Sequence, residues 1–283
     1  TAFYPALEAA GLAWRAREVR VREEGVPVDV RLVEAWAAEG PGLTLYFPRR
    51  AQAPSWAIAS RGTGMAALPV FVIGQAPRPD LAAEIAAAAP GLHIAMRGAL
   101  DGLSRAEIAA IPPRDGADTL FTMLPSGEGV SISKAAVTAR MKAMLAEVAG
   151  PVLLACTGTF KGLPERPGLV QPSAVLNGMA EALLPRGRLG LFVPLAEQAA
   201  TLGASRARDG LSLAVHALRP HSDDATRAAA MAAMAAEKPD LVLLDCISYT
   251  RVDKAAAVAA LSCPVLLSVA VAARAAASLL PEP

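Results

Sequence analysis

With 283 residues, 54% of them hydrophobic and 19% charged, the chain can bury one large or two modest cores, which excludes wholesale disorder. A net charge of +1 excludes the basic or acidic face of a nucleic-acid or anionic-membrane binder, so neither partner is expected. Three cysteines are too few and odd in number for a disulfide framework, and no Cys/His cluster has metal-ligand spacing, so a reducing, cytoplasmic setting without a bound metal is expected.

Residues 1–64 read as a small α+β extension. Leu7–Ala16 and Val33–Glu39 are expected as short helices, and Val26–Arg31 and Leu43–Phe47 as strands. Trp14, Trp36 and Trp56 all fall here, beside frequent Arg and Glu, but no residue pattern carries chemistry. The chain opens on Thr1 instead of methionine, which fits a processed or trimmed start. No apolar run reaches the length of a membrane span, and no leader pattern opens the chain.

From Leu68 a regular alternation begins. Strands are expected at Pro69–Ile73, Leu92–Met96, Thr119–Leu124 and Pro151–Ala155. Helices are expected from Asp80 to Ala89, over Ser104–Ala110, and from the end of a 125–131 loop to about Val148. Ser104 with Glu107 three residues on is a capping box. A Gly/Pro-rich stretch, 162–172, then separates this set from a second. In the second, Ser173 is expected to cap a helix to Leu184. The strand Leu189–Val193, the helix Ala196–Arg208, the strand Leu211–Ala217 and the helix Asp224–Glu237 follow. The strands Leu241–Leu244 and Pro264–Ser268 come next, with helices after each over Lys254–Leu261 and Val271–Leu280. Strands alternating with helices imply parallel sheets, and runs such as Val-Leu-Leu suit strands buried on both faces. The expected fold is α/β, with two similar lobes of four parallel strands. The first spans 65–160 joined by 264–283, and the second spans 161–263. Ligand is expected in the cleft at the carboxyl ends of the strands.

Two strand runs end alike. Pro151-Val-Leu-Leu-Ala-Cys156 continues into Thr157-Gly158-Thr159, and Leu241-Val-Leu-Leu-Asp-Cys246 into Ile-Ser248-Tyr249-Thr250. If Cys156 and Cys246 flank one ligand carbon, one sulfur can remove a proton and the other return it on the opposite face. Hydroxyls and backbone N–H groups of the residues just after each cysteine are then the candidates to hold the carboxylate. Cys263, just before Pro264, reads as an ordinary core residue. Weaker signals are His221, between Pro220 and the acidic pair Asp223-Asp224, which reads better as a helix start than as a metal or catalytic group. His93 and His216 sit inside strand patterns. Ser131 and Ser133 are hydroxyls that could reach the cleft.

From residue 65 onward the chain resembles the AroM family. The resemblance rests on Val72-Ile-Gly-Gln-Ala-Pro-Arg-Pro-Asp80, Leu243-Leu-Asp-Cys-Ile-Ser-Tyr-Thr250 and Pro264-Val-Leu-Leu-Ser268, with the order of elements. It implies membership of the aspartate/glutamate/hydantoin racemase superfamily. That in turn implies two α/β lobes around the substrate and a catalytic cysteine pair, placed like Cys156 and Cys246, that needs no cofactor. Two departures stand out. Gly74-Gln75, with Arg78 close by, replaces the Asp-Ser pair of the racemases. Asp-Cys-Ile-Ser replaces Gly-Cys-Thr-His, so the histidine helper is missing. Gly74, Gln75 and Arg78 join Thr157, Gly158, Thr159, Ser248, Tyr249 and Thr250 as candidate carboxylate binders. The expected function is racemisation or epimerisation of a small carboxylate such as an amino acid or hydantoin. Decarboxylation, maleate-type cis–trans isomerisation and plain metabolite binding are the alternatives, and the reading leaves room for a homo-oligomer.

Overall fold

The computed structural model describes residues 13–23, 26–36, 43–48 and 67–280. The first three stretches form an antiparallel meander, β1 (Ala13–Glu23), β2 (Val26–Trp36) and β3 (Leu43–Pro48), paired in that order. This corrects the two expected helices where they overlap it: Ala13–Ala16 and Val33–Trp36 are strand, and the rest of both lies outside the described residues. Val19 and Val21 alternate with Glu18, Arg20 and Arg22, a period-two pattern that suits a strand, and Val19 stands opposite Val30.

From Leu68 the order is β4 (Leu68–Val72), α1 (Pro79–Ala88), β5 (Ile94–Gly98), α2 (Arg105–Ala109), β6 (Thr119–Met123), β7 (Gly129–Ser133), α3 (Lys134–Ala146), β8 (Val152–Ala155) and β9 (Leu169–Val170). It continues as α4 (Pro172–Leu183), β10 (Gly187–Val193), α5 (Ala199–Arg206), β11 (Leu211–Ala217), α6 (Asp224–Ala236), β12 (Leu241–Leu244), α7 (Arg251–Ala260), β13 (Val265–Leu267) and α8 (Ser268–Ala277). Two four-stranded sheets result, β5-β4-β8-β9 and β11-β10-β12-β13, and every neighbouring pair in them is parallel. The fold is thus α/β with two lobes. Among the described residues no helix is long and apolar enough to cross a membrane.

Both faces of each sheet are buried, and alternate residues show it. In β4, Leu68, Val70 and Val72 join one apolar cluster, while Phe71 and Ile73 beyond it join another. In β12, Val242 and Leu244 join the first cluster and Leu241 and Leu243 a third. That first cluster includes residues of both lobes, so the inner faces of the two sheets share one core. Truncating a member such as Leu244, fully buried, to alanine should cost about 2–5 kcal/mol. The chain exchanges elements between lobes. β9 pairs with β8 of the first sheet, β13 closes the second, and α8 packs back against α1, α4 and β8.

Two stretches need correction. Thr119–Leu124 does not join the parallel sheet. As β6 it pairs antiparallel with β7, inside the stretch expected as loop and helix start, and the helix begins at Lys134. Ser173 does not cap α4: the cap position is Gln171, and Pro172, with its fixed φ and no N–H to satisfy, occupies the first turn. The Ser104–Glu107 capping box forms as expected.

Candidate active site

Cys156 follows β8 directly, and Cys246 follows β12 after Asp245. β8 and β12 are both inner strands, and their carboxyl ends open onto one cleft of about 50 Å³. Cys156, Thr157 and Gly158 line it from the first lobe, and Cys246, Ile247 and Ser248 from the second. Gly158 N donates to Cys156 Sγ at 3.3 Å, and the Ser248 backbone and hydroxyl favour the thiolate of Cys246. A Cβ at Gly158 would lie against the Cys156 sulfur and crowd the end of Leu120.

The two thiols are strongly perturbed, in the direction opposite to a free thiolate. Burial pushes Cys156 up to about 12, with Cys246 and Asp245 adding to the rise and the Gly158 N–H and Lys134 opposing it. Burial pushes Cys246 up to about 11, with Asp245 adding and Ser248 and Arg78 opposing. At neutral pH both sulfurs therefore carry their protons, because a desolvated thiolate finds too few compensating donors.

Arg78 enters the cleft from the loop after β4. Asp101 clamps that loop: its carboxylate accepts from Ala76 N at 2.7 Å and from Gly98 N at 2.8 Å. Gly98 permits the approach, since a Cβ there would strike Gly74 O and Ala76 N. Arg78 is only 5% exposed, and its Nε and Nη2 reach the two Asp80 oxygens at 2.9 and 2.6 Å. Nη2 also donates to Ser248 Oγ at 3.2 Å, across the lobes. Nη1 makes no hydrogen bond among the described residues. Burial would raise the Asp80 carboxyl, but the nearby His221 and the hydrogen-bonded Arg78 hold it well below the usual range. His221 Nε2 lies 3.7 Å from Asp80 Oδ2, while Asp223, not His221, caps α6.

Asp245, next to Cys246 in the chain, ties the two cysteine loops together. It is fully buried and takes two hydrogen bonds of 2.9 Å from Arg206 Nε and Nη2. Arg206 also donates to Ser173 O at 2.8 Å. The Asp245 carbonyl accepts from Thr157 Oγ1 at 3.1 Å, which stitches one cysteine loop to the other.

Of the carboxylate-binding candidates, the cleft wall holds Arg78, Thr157, Gly158 and Ser248 beside the two cysteines. Five others stand off it. Gln75 points away and donates to Leu103 O at 2.7 Å. Gly74 is spent on backbone packing, its carbonyl accepting from Leu100 N at 3.0 Å. Thr159 is exposed beyond the cleft. Tyr249 is fully buried with its hydroxyl donating to Leu218 O, and Thr250 caps α7 in a box with Asp253. Ser133 is likewise occupied: it caps α3 and donates to Asp118 at 2.9 Å.

The wall also holds residues that sequence reasoning missed: Lys134, Thr119, Phe121, Thr122 and Gln198. Lys134 is the first residue of α3 and is half-buried, and it has no ion-pair partner among the described residues. The β6–β7 ribbon brings Thr119, Thr122 and the start of α3 to the cleft, so reading β7 as a loop hid all of them. Gln198 sits in the 3-10 turn before α5, where no motif marks it.

Among solved structures the chain is similar to the glutamate racemase from Francisella tularensis subsp. tularensis SCHU S4 in complex with D-glutamate. That likeness has a TM-score of 0.47 and 11% identity, and covers 75% of this chain and 80% of that one. It is also similar to unliganded arylmalonate decarboxylase, with a TM-score of 0.46 and 15% identity over 76% of this chain and 92% of that one. No curated protein matches the sequence. The family model described as AroM protein matches residues 68–280, a span that contains both parallel sheets and every residue of the cleft, and the chain belongs to the AroM family.

Proposed function

We propose that this protein catalyses cofactor-independent proton transfer at the α-carbon of a small carboxylate, as a racemase or epimerase, with Cys156 and Cys246 as the two acid/base groups. The observation that carries the reading is the pair of strand-end thiols lining one small cleft from opposite lobes. In the active form one sulfur has lost its proton. That thiolate takes the α-proton, the C–H electron pair spreads into the carboxylate, and the opposite thiol gives its proton to the other face of the carbon. The sulfurs have then exchanged roles, and the configuration is inverted. Arg78, through its free Nη1 edge, and Lys134 supply positive charge for the carboxylate as it gathers negative charge.

A second reading draws on the raised thiols. Decarboxylation needs no base: the C–C bond breaks, CO2 leaves, and the electron pair stays on the α-carbon. One neutral thiol then protonates that carbon and is itself reprotonated from water. Sulfurs pushed up to about 12 and about 11 are well suited to that donor role.

The deciding experiment is to incubate the protein in D2O with amino acids, hydantoins, hydroxy acids and 2-substituted malonates, following α-proton exchange and CO2 release. Exchange at the α-carbon of a chiral acid supports the first reading. CO2 release from malonates without exchange elsewhere replaces it with the second, and neither signal overturns both.

A further inference from the structure

Gln198 belongs to the second lobe, is 7% exposed, and lines the cleft opposite Thr119 and Thr122 of the first. Its amide orientation is fixed by a neighbour. The group 2.9 Å from the Thr119 carbonyl must be the donor, so it is Nε2. Oε1 is then held in one place, buried, with no hydrogen-bond partner among the described residues. A buried carbonyl oxygen without a donor is costly, and in a residue that lines a ligand cleft it is satisfied when the ligand brings the donor.

We infer that Gln198 is a specificity-determining residue that accepts a hydrogen bond from an N–H or O–H group of the substrate. The substrate class of this cleft is then carboxylates and their cyclic analogues that carry such a donor close to the reacting carbon: amino acids, hydroxy acids or ureido compounds. Alkyl carboxylates and simple alkenoates leave Oε1 unsatisfied. The inference rests on the reading of the cleft as a carboxylate site and narrows it. The remaining polar wall supports the assignment. Arg78 and Lys134 offer only donors, and among the acceptors of the wall residues Gln198 Oε1 is the buried one that lacks a donor. A site that holds a buried acceptor rejects a ligand lacking the donor more sharply than an apolar pocket rejects a ligand lacking a methylene.

The test uses matched pairs that differ only in the donor: malate against succinate, lactate against propionate, and a 5-substituted hydantoin against its N-methylated form. Affinity is read on the intact protein as protection of Cys156 and Cys246 from alkylation at alkaline pH, resolved by peptide mass spectrometry. The donor-bearing member should bind about ten- to a hundredfold tighter in at least one pair. In Gln198→Leu, which keeps the volume and removes the acceptor, that ratio should fall towards one. Equal protection by both members of every pair in the wild-type protein overturns the inference and leaves the carboxylate site standing. So does a preference that survives unchanged in a folded Gln198→Leu. No protection by any of the compounds overturns the site reading together with it. Should Gln198→Leu fail to fold, the wild-type comparison still decides.

Discussion

The cation acting on Cys156 is Lys134, on a flexible stem at the start of α3, without an ion-pair partner among the described residues. The cation acting on Cys246 is Arg78, whose guanidinium is locked by two bonds to Asp80 and one to Ser248. Both sulfurs stand just past the carboxyl end of an inner strand, Cys156 directly after β8 and Cys246 one residue further past β12. The two cations differ in shape and anchoring, and under the proposed function the two ends divide the work accordingly. A planar, anchored fork orients a carboxylate, whereas a compact ammonium on four rotatable bonds follows charge as it moves. Burial pushes both thiols up, Cys156 to about 12 and Cys246 to about 11, and the first proton lost belongs to the coupled pair.

The largest way to break that comparison is to remove either sulfur. Cys156→Ser and Cys246→Ser should each lower kcat for racemisation by about 10²–10⁴, since each enantiomer needs both groups. If one variant keeps wild-type turnover, the two-base mechanism falls, and a single proton donor, as in decarboxylation, takes its place. The pH profile sharpens the same point. Both folded thiols lie above the usual range, so the thiolate form grows as pH rises. For two-base chemistry kcat/KM should climb about tenfold per unit from pH 7 to about 10, whereas a reaction that uses neutral thiols as donors should stay flat over that range and fall above it. A level profile with α-proton exchange intact would contradict a thiolate base.

Next in size is the support shared by the two ends. Asp245 and Arg206 are a fully buried pair, 0% and 1% exposed, held by two hydrogen bonds. Asp245→Asn leaves a buried guanidinium without its counter-charge and should cost about 3–5 kcal/mol in urea unfolding. Since Asp245 raises both thiols, a folded Asp245→Asn should also alkylate faster at both sulfurs at a given pH. Faster alkylation at only one sulfur would place the carboxylate's influence on one end alone.

How much of this was legible in the sequence follows from how local each signal is. Val-Leu-Leu runs ending in cysteine report a strand buried on both faces, and both cysteines were found that way. Arg78 was within reach because it stands in a short loop after such a strand. The meander before residue 49 was misread in part, because Leu7–Ala16 and Val33–Glu39 carry enough Ala, Leu and Glu to suit a helix locally. Pairing partners further along the chain decided for strand at Ala13–Ala16 and Val33–Trp36. Gln75 and Thr250 sit beside the right motifs yet are occupied, one by backbone carbonyls of the 100–103 turn and the other by its own helix start. Sequence proximity cannot distinguish a side chain facing the ligand from one facing the chain. Lys134 and Gln198 depend on the β6–β7 ribbon and on contact across the lobes, such as Gln198 to Thr119, and neither leaves a trace in local pattern.

The smallest effect tests the division of labour between the two cations. Lys134→Met keeps most of the side-chain stem and removes the charge. Because the residue is half-buried and its charge partly screened, the loss of that charge should raise KM about three- to tenfold, a change near 1 kcal/mol. Removing a nearby positive charge also makes the Cys156 thiolate harder to form, so the alkylation midpoint of Cys156 should move to higher pH, while that of Cys246, which answers to Arg78, should hold. A shift at Cys156 with KM unchanged would make Lys134 a tuner of the sulfur and no carboxylate ligand. A rise in KM with both midpoints fixed would make it the reverse. If both midpoints move together, the two ends do not have separate cations, and the asymmetry between them has no chemical consequence.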